Sequence, residues 1–118
     1  MKNVFRAALT VLFLFLSPFA RAHPPSSIDL QYNLPDKILH IEIKHVTHDP
    51  REHHIRKILI SVNSGEPQVV YLSTQTTPAY DSEDISLEAK EGDLIRVEAV
   101  CSDAGRLEAT LTVPESKQ

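Results

Sequence analysis

This chain of 118 residues contains one cysteine, three glycines, one methionine and no tryptophan. The single thiol, Cys101, excludes a disulfide within the chain. It is therefore a buried small hydrophobe, half of an intermolecular bridge or a thiolate ligand. Three glycines leave little room for a glycine-rich phosphate-binding loop. Helical hydrophobic periodicity, repeats and low-complexity tracts are also absent, so the sequence must be interpreted from its strands and from its six histidines.

The first 22 residues have the pattern of an export signal. Two basic residues precede an apolar run at 7–20, and Ala20-Arg21-Ala22 fits the small-x-small cleavage pattern. The alternative is a membrane anchor, but the run is shorter than the ~20 apolar residues that a spanning helix needs. We therefore expect a signal peptide at 1–22, a periplasmic or secreted protein, and one mature domain at 23–118.

The predicted mature chain is acidic. Three of the twelve basic residues lie in the signal, so nine basic residues remain against 16 acidic ones, a net charge of −7. Nucleic acid and anionic lipid both require a basic face. The sequence thus predicts no nucleic-acid partner and no membrane partner after signal cleavage. A protein partner or a redox donor stays open, and so does the oligomeric state.

Alternation of apolar and polar residues with a period of two predicts β-strands, and turn residues such as Asn63-Ser64-Gly65 separate them. The predicted strands lie at 27–33, 37–46, 54–62, 68–75, 84–89, 94–101 and 107–113. This alternation implies antiparallel sheets with one solvated face. Seven such strands in under one hundred residues predict an all-β, seven-stranded antiparallel immunoglobulin-like β-sandwich.

Four of the six histidines, His45, His48, His53 and His54, fall within ten residues. Imidazole is the commonest protein metal ligand. His45 lies on the inward face at the end of its predicted strand, and Cys101 lies on the inward face at the end of another. If both ends are at the same pole, His45, His53 and Cys101 can form a metal site at the strand ends. The alternative is that the histidines hydrogen-bond the neighbouring loop.

Several short motifs follow His45 along the chain. They are Glu52-His53-His54-Ile55-Arg56-Lys57-Ile58, Asn63-Ser64-Gly65, Gly92-Asp93 and Cys101-Ser102-Asp103-Ala104-Gly105. Together they resemble the iron-binding domain of the desulfoferrodoxin and superoxide reductase family, over roughly residues 38–112. The resemblance implies an immunoglobulin-like sandwich that holds one iron with four equatorial histidines and an axial cysteine thiolate. It implies that His45 and His53 match two equatorial ligands and that Cys101 matches the thiolate.

The sequence departs from this family's pattern in three ways. Ala104 stands where the family's last histidine ligand lies, and the gap from His45 to His53 is two residues longer than the family's spacing. The family's upstream glutamate-lysine-histidine loop is not visible before Ile28. We therefore expect a superoxide-reductase-like domain that binds iron, or a degenerate relative in which the reductase activity is lost.

Other interpretations of the site remain open. His48 lies in the lengthened loop and is a further candidate ligand. His23, once freed by cleavage, offers an α-amino and a ring nitrogen together, which suits copper. Lytic polysaccharide monooxygenases and some periplasmic copper carriers use such a residue. His40 and His54 are expected to be solvated or packed rather than ligands.

A metal-free function is a further alternative. The small sandwich subunit of the periplasmic sulfur-oxidising carrier complex looks similar in the His-x-Ile segment, the turn and the late Gly-Asp, and it implies a binding or adaptor module. The acidic run Asp81, Glu83 and Asp84 predicts a solvated turn, with a calcium site as the alternative.

Overall fold

The computed structural model describes residues 23–115. The predicted signal at 1–22 and the last residues, 116–118, lie outside the described residues. Seven strands are formed: β1 (Ser27–Asn33), β2 (Ile38–Lys44), β3 (Ile55–Val62), β4 (Gln68–Tyr71), β5 (Tyr80–Ser86), β6 (Leu94–Cys101) and β7 (Arg106–Thr112). Within 23–115 the chain forms no helix, and so none that could cross a membrane.

The strands form two antiparallel sheets. One has the order β1-β2-β5 and the other the order β4-β3-β6-β7. Fully buried side chains from the two sheets share one apolar core, and they are Leu39, Ile41, Ile43, Ile55, Ile58, Ile95, Val97 and Ala99. Each large aliphatic side chain among them contributes about 1.5–3 kcal/mol by leaving water. The predicted all-β architecture of seven antiparallel strands is confirmed.

The strand bounds follow the predicted alternation closely in β1, β2, β3 and β6 and depart from it in β4. The predicted strand at 68–75 ends at Tyr71, and the last bond to β3 is the Leu72 N–H to the Arg56 carbonyl, 2.9 Å. The chain then crosses from one sheet to the other as an irregular segment at 72–79. This crossing brings Gln75 into the interior, where it is 4% exposed.

The acidic run is part of strand β5, so the prediction of a solvated turn there is wrong. β5 begins at Tyr80 instead of residue 84, and Asp81 pairs with Ile43 of β2. Asp81 is only 1% exposed. Polar residues occupy a strand here because β2 offers a complete ladder of backbone partners, which outweighs their low β-propensity.

Candidate metal site

Three imidazole rings converge at one end of the two sheets. The ring centroids of His45 and His53 are 4.8 Å apart, and the His23 centroid is 5.2 Å from each. One ring nitrogen from each residue lies within 4.8 Å of the others. A single point therefore lies within bonding reach of all three after small side-chain rotations, since metal–imidazole bonds are ~2.0–2.1 Å.

His45 and His53 are positioned by opposite ends of one loop. His45 continues the inward face of β2, and its N–H donates to the Ala79 carbonyl, 3.1 Å. At the other end, the His53 N–H donates to the Asp49 carbonyl, 2.9 Å. The Asp49 side chain accepts from the Arg51 N–H, 3.0 Å, which closes a tight turn. The lengthened loop thus contains an ordered turn that holds His53 beside His45.

Cys101 reaches the same end from the other sheet. Its Sγ lies 3.0 Å from the His53 Nε2, and the residue is 3% exposed. The Cys101 N–H donates to the Gly105 carbonyl, 3.0 Å, so the last residue of β6 is fixed by the following turn. The ends of β2 and β6 therefore lie at one pole, which strand alternation alone left open.

The N-terminal segment is anchored against the turn that follows Cys101. Gly105 has a φ of 99°, and a Cβ built on it would lie 2.9 Å from the backbone N and Cα of Pro24. The Ser26 N–H donates to the Lys44 carbonyl, 2.8 Å, and Pro25 is buried. Because both neighbouring elements hold this segment, His23 is brought over the cluster although its side chain is exposed.

Gln75 lies behind the cluster and was not identified from the sequence. Its Nε2 donates to the His45 carbonyl, 3.0 Å, and to the Thr77 carbonyl, 2.9 Å. Two carbonyl partners identify this atom as the amide nitrogen. The Oε1 must then be the acceptor, and it receives the Ile55 N–H at 3.2 Å and the His45 Nδ1–H at 2.5 Å. No periodic pattern marks position 75, because it lies in the irregular crossing.

This network determines the tautomer of His45. With the proton on Nδ1, the Nε2 carries a lone pair, and it is buried without a hydrogen-bond partner. Burial lowers the pKa of His45 below its ordinary 6.5, and positive charge on His53 or His23 lowers it further. The hydrogen bond to Gln75 and the His23 backbone act in the opposite direction. A neutral imidazole held by a second residue and presenting a free nitrogen is the form in which histidine binds metals.

The remaining histidines lie outside the cluster. His48 is exposed in the loop and is not among the converging rings. The His40 Nδ1 lies 2.6 Å from an Asp84 Oδ1 on the outer face. His54 is half-buried, and its N–H donates to the Ser102 hydroxyl, 3.1 Å. Ala104 is exposed in the turn beside Gly105. The metal candidates whose donor atoms the structure brings together are therefore His23, His45 and His53. Cys101 adjoins this group through its contact with His53.

The donor set fits a transition metal. Imidazole suits iron, copper, zinc and nickel, and thiolate ligands favour soft or borderline metals. Asp103 adds a carboxylate 3.7 Å from the His53 Nδ1, close to the ring edge that faces away from Cys101. Comparison with known protein families, with curated proteins and with solved structures finds no match to this chain.

Proposed function

We propose that this protein is an exported metal-binding domain. One transition-metal ion is held by His23, His45 and His53, with the Cys101 thiolate as the fourth ligand. The observation that carries the proposal is the buried, unpartnered Nε2 of His45, aimed at two other imidazoles by the Gln75 hydrogen bond. A lone pair buried without a partner is costly in a stable fold unless a ligand uses it.

The strand order supports an immunoglobulin-like sandwich as the finer description of the fold. A constant-type immunoglobulin domain has its first, second, fourth and fifth strands in one sheet and the other three in the second. Here β1, β2 and β5 form one sheet, and β4 pairs with β3 in the other. The two strand orders differ only in the edge strand β4, which pairs with β3 here and belongs to the first sheet in the immunoglobulin domain. The loops that carry His53 and Cys101 lie at one end of the sandwich.

Iron is the first candidate metal. The resemblance to the desulfoferrodoxin family includes His45, His53 and Cys101. The His45 and His53 rings adjoin each other, and Cys101 contacts His53. When bound, iron with a thiolate and imidazole ligands supplies one-electron chemistry. In that arrangement His23 would provide the imidazole that Ala104 cannot provide, since both positions flank the Gly105 turn. Superoxide is the substrate that this interpretation implies.

Copper is the second candidate, and the position of His23 favours it. His23 is one of the three converging imidazoles, and it lies at the predicted start of the mature chain. If the signal is cleaved after Ala22, the α-amino group becomes an additional nitrogen donor on the same residue. Copper binds such nitrogen donors more tightly than the other divalent first-row metals.

The proposal is tested by metal analysis of the protein that is expressed from the full-length sequence and purified after removal of the predicted signal. We expect one equivalent of iron or copper and a visible thiolate-to-metal charge-transfer band. The Cys101→Ala variant should lose the band, and His45→Ala should lose most of the metal. The matched control is His48→Ala, an exposed histidine of the same loop, which should retain both. A metal-free protein that captures a partner equally well after replacement of His45 and His53 would instead support the adaptor function.

A second measurement separates iron from copper. The chain that begins at His23 is compared with a chain that carries one extra residue before it. For copper held through the α-amino group, the extension should weaken affinity by roughly tenfold or more. For iron held by the rings and Cys101, the extension should leave the affinity nearly unchanged, and the purified protein should reduce superoxide when supplied with an electron donor.

A further inference from the structure

Two carboxylates that do not belong to the histidine cluster project from β5 toward the interior of the protein. Asp81 pairs with Ile43 and Glu83 pairs with Ile41, and both isoleucines are fully buried. Paired residues on antiparallel strands point to the same face, so Asp81 and Glu83 lie on the inner side of the sheet. β5 is an edge strand, so the two carboxylates line the open side of the sandwich.

Asp81 has one carboxylate oxygen that the protein does not satisfy. Its Oδ1 accepts the Thr76 N–H at 3.0 Å and the Thr76 hydroxyl at 3.1 Å. Its Oδ2 is buried, in a residue that is only 1% exposed, and it has no hydrogen-bond partner while Glu83 is ionised. None of the ion pairs formed within residues 23–115 includes Asp81 or Glu83. The negative charge of the pair is therefore not balanced by a basic side chain.

The pKa of Glu83 is raised by burial and by the neighbouring negative charges. Partial burial, the hydrogen bond that its protonated form donates to Asp81, and repulsion from Asp81 and Asp84 raise the pKa of Glu83 to about 7. The first of these causes is the largest. Near neutral pH the two inward carboxyl groups thus compete for one proton, and a cation that binds both can replace that proton.

A groove of about 310 Å³ gives access to the pair. It lies between the edge strands β4 and β5 and is lined by Tyr71, the crossing segment at 72–76 and the two carboxylates. The Thr76 hydroxyl is within 3.1 Å of Asp81 Oδ1 and 3.4 Å of the Ser82 carbonyl. Carboxylate, hydroxyl and carbonyl oxygens in an irregular arrangement are ligands for a hard cation that tolerates variable geometry.

We propose that Asp81 and Glu83 bind one calcium ion in this groove. Calcium accepts six to eight oxygen ligands in flexible geometry, whereas magnesium requires a near-ideal octahedron that an edge strand does not supply. Water completes the coordination on the open side. With two carboxylates and an exposed groove, the expected Kd is about 10⁻⁴–10⁻³ M, as in extracellular calcium modules.

Calorimetric and thermal titrations of the processed protein with calcium chloride test the proposal. At about 10 mM calcium we expect the melting temperature to rise by roughly 5–20 °C, because an ion that binds only the folded state stabilises it. The Glu83→Gln variant should bind calcium about tenfold more weakly, since it removes one of two charged ligands. Asp81→Asn changes a buried residue and can prevent folding. In that case the calcium affinity of Glu83→Gln alone tests the proposal, since Glu83 is partly exposed.

The matched control is Asp84→Asn. Asp84 is on the same strand but on its outer face, beside His40. This variant should bind calcium about as tightly as the unmodified protein, because Asp84 does not line the groove. A calcium effect no larger than that of potassium chloride at equal ionic strength would overturn the proposal and leave a pair that shares only a proton. Equal losses in Asp84→Asn and Glu83→Gln would also overturn it.

Discussion

Gln75 is the residue on which the geometry of the histidine cluster (His23, His45 and His53) depends. One amide side chain holds the His45 ring, the His45 carbonyl, the Ile55 N–H and the Thr77 carbonyl. These four hydrogen bonds fix the tautomer of His45 before any ion arrives, so binding requires little reorganisation of the ligand.

Replacing Gln75 by leucine should therefore destabilise the fold and weaken metal binding together. The substitution leaves buried backbone groups and the His45 Nδ1–H without partners, which costs about 1–3 kcal/mol for each group that water cannot reach. We expect a loss of about 2 kcal/mol or more in urea unfolding, and a loss of about tenfold or more in metal affinity. Gln31→Leu on the exposed face of β1 is the control, with a change within about 0.5 kcal/mol. Equal effects of the two variants would contradict the role of Gln75.

At the scale of elements, the turn after β6 and the N-terminal segment act as one unit. Gly105 has a positive φ and touches the Pro24 backbone, whereas Gly92 has a φ of 86° and no atom lies within 4 Å of the place where a Cβ would stand. The two glycines thus carry similar backbone strain on substitution and differ only in the contact with the N-terminal segment.

Gly105→Ala should displace the segment that carries His23. Both Gly105→Ala and Gly92→Ala should lose about 1–2 kcal/mol of stability from strain at positive φ. Only Gly105→Ala should also reduce metal affinity, by the same factor as His23→Ala, because Pro24 has to move. Metal titrations of the three variants make the comparison. If Gly92→Ala reduces metal affinity as strongly, the contact between Gly105 and Pro24 does not position His23.

The stability of the protein should depend on pH because of Glu83 on strand β5. The pKa of Glu83 is about 7 in the folded state against an ordinary 4.5, so the folded state binds more protons than the unfolded state between pH 4.5 and pH 7. The contribution of Glu83 to stability is therefore fully present below pH 4.5 and is lost as the pH rises through 7. In the presence of a chelator that removes calcium, the Glu83→Gln variant should be more stable than the unmodified protein above pH 7. Near pH 4.5 the difference in stability should be much smaller. A gain that does not depend on pH would contradict the raised pKa.

The sequence predicted the elements where side-chain alternation is strict and long. Alternation in β2 and β6 placed His45 and Cys101 on inward faces, and both are buried. It failed at β5, because Asp81 owes its place to a backbone ladder with β2 and not to its own hydrophobicity. Nothing in the sequence indicated Gln75, since its position depends on contacts between segments distant in sequence. His23 was a candidate ligand because of its predicted N-terminal amine, but its place beside His45 and His53 depends on the contact between Pro24 and Gly105.

At the scale of the whole molecule, the cluster joins three separate parts of the fold. His45 follows β2 of one sheet, His53 precedes β3 of the other sheet, and His23 lies on the N-terminal segment. Cys101 is the last residue of β6, in the same sheet as β3. An ion bound by all of them links the two sheets, and its binding free energy then contributes to the stability of the whole fold.

Metal binding should therefore stabilise the protein globally. With free metal at about 1,000 times its Kd, the gain should be about 4 kcal/mol. Thermal unfolding with and without a chelator measures this gain, which should disappear in His45→Ala and persist in His48→Ala. A gain of similar size in His45→Ala would assign the stabilising ion to another site.

X-ray absorption spectroscopy of the metal-loaded protein tests the central claim most directly. The account predicts three imidazole nitrogens at about 2.0–2.2 Å and one sulfur at about 2.3 Å around a single metal ion. The sulfur contribution should vanish in Cys101→Ala, and one imidazole should be lost in His23→Ala. A spectrum without sulfur in the unmodified protein, or one that changes in His48→Ala and not in His45→Ala, would contradict the account.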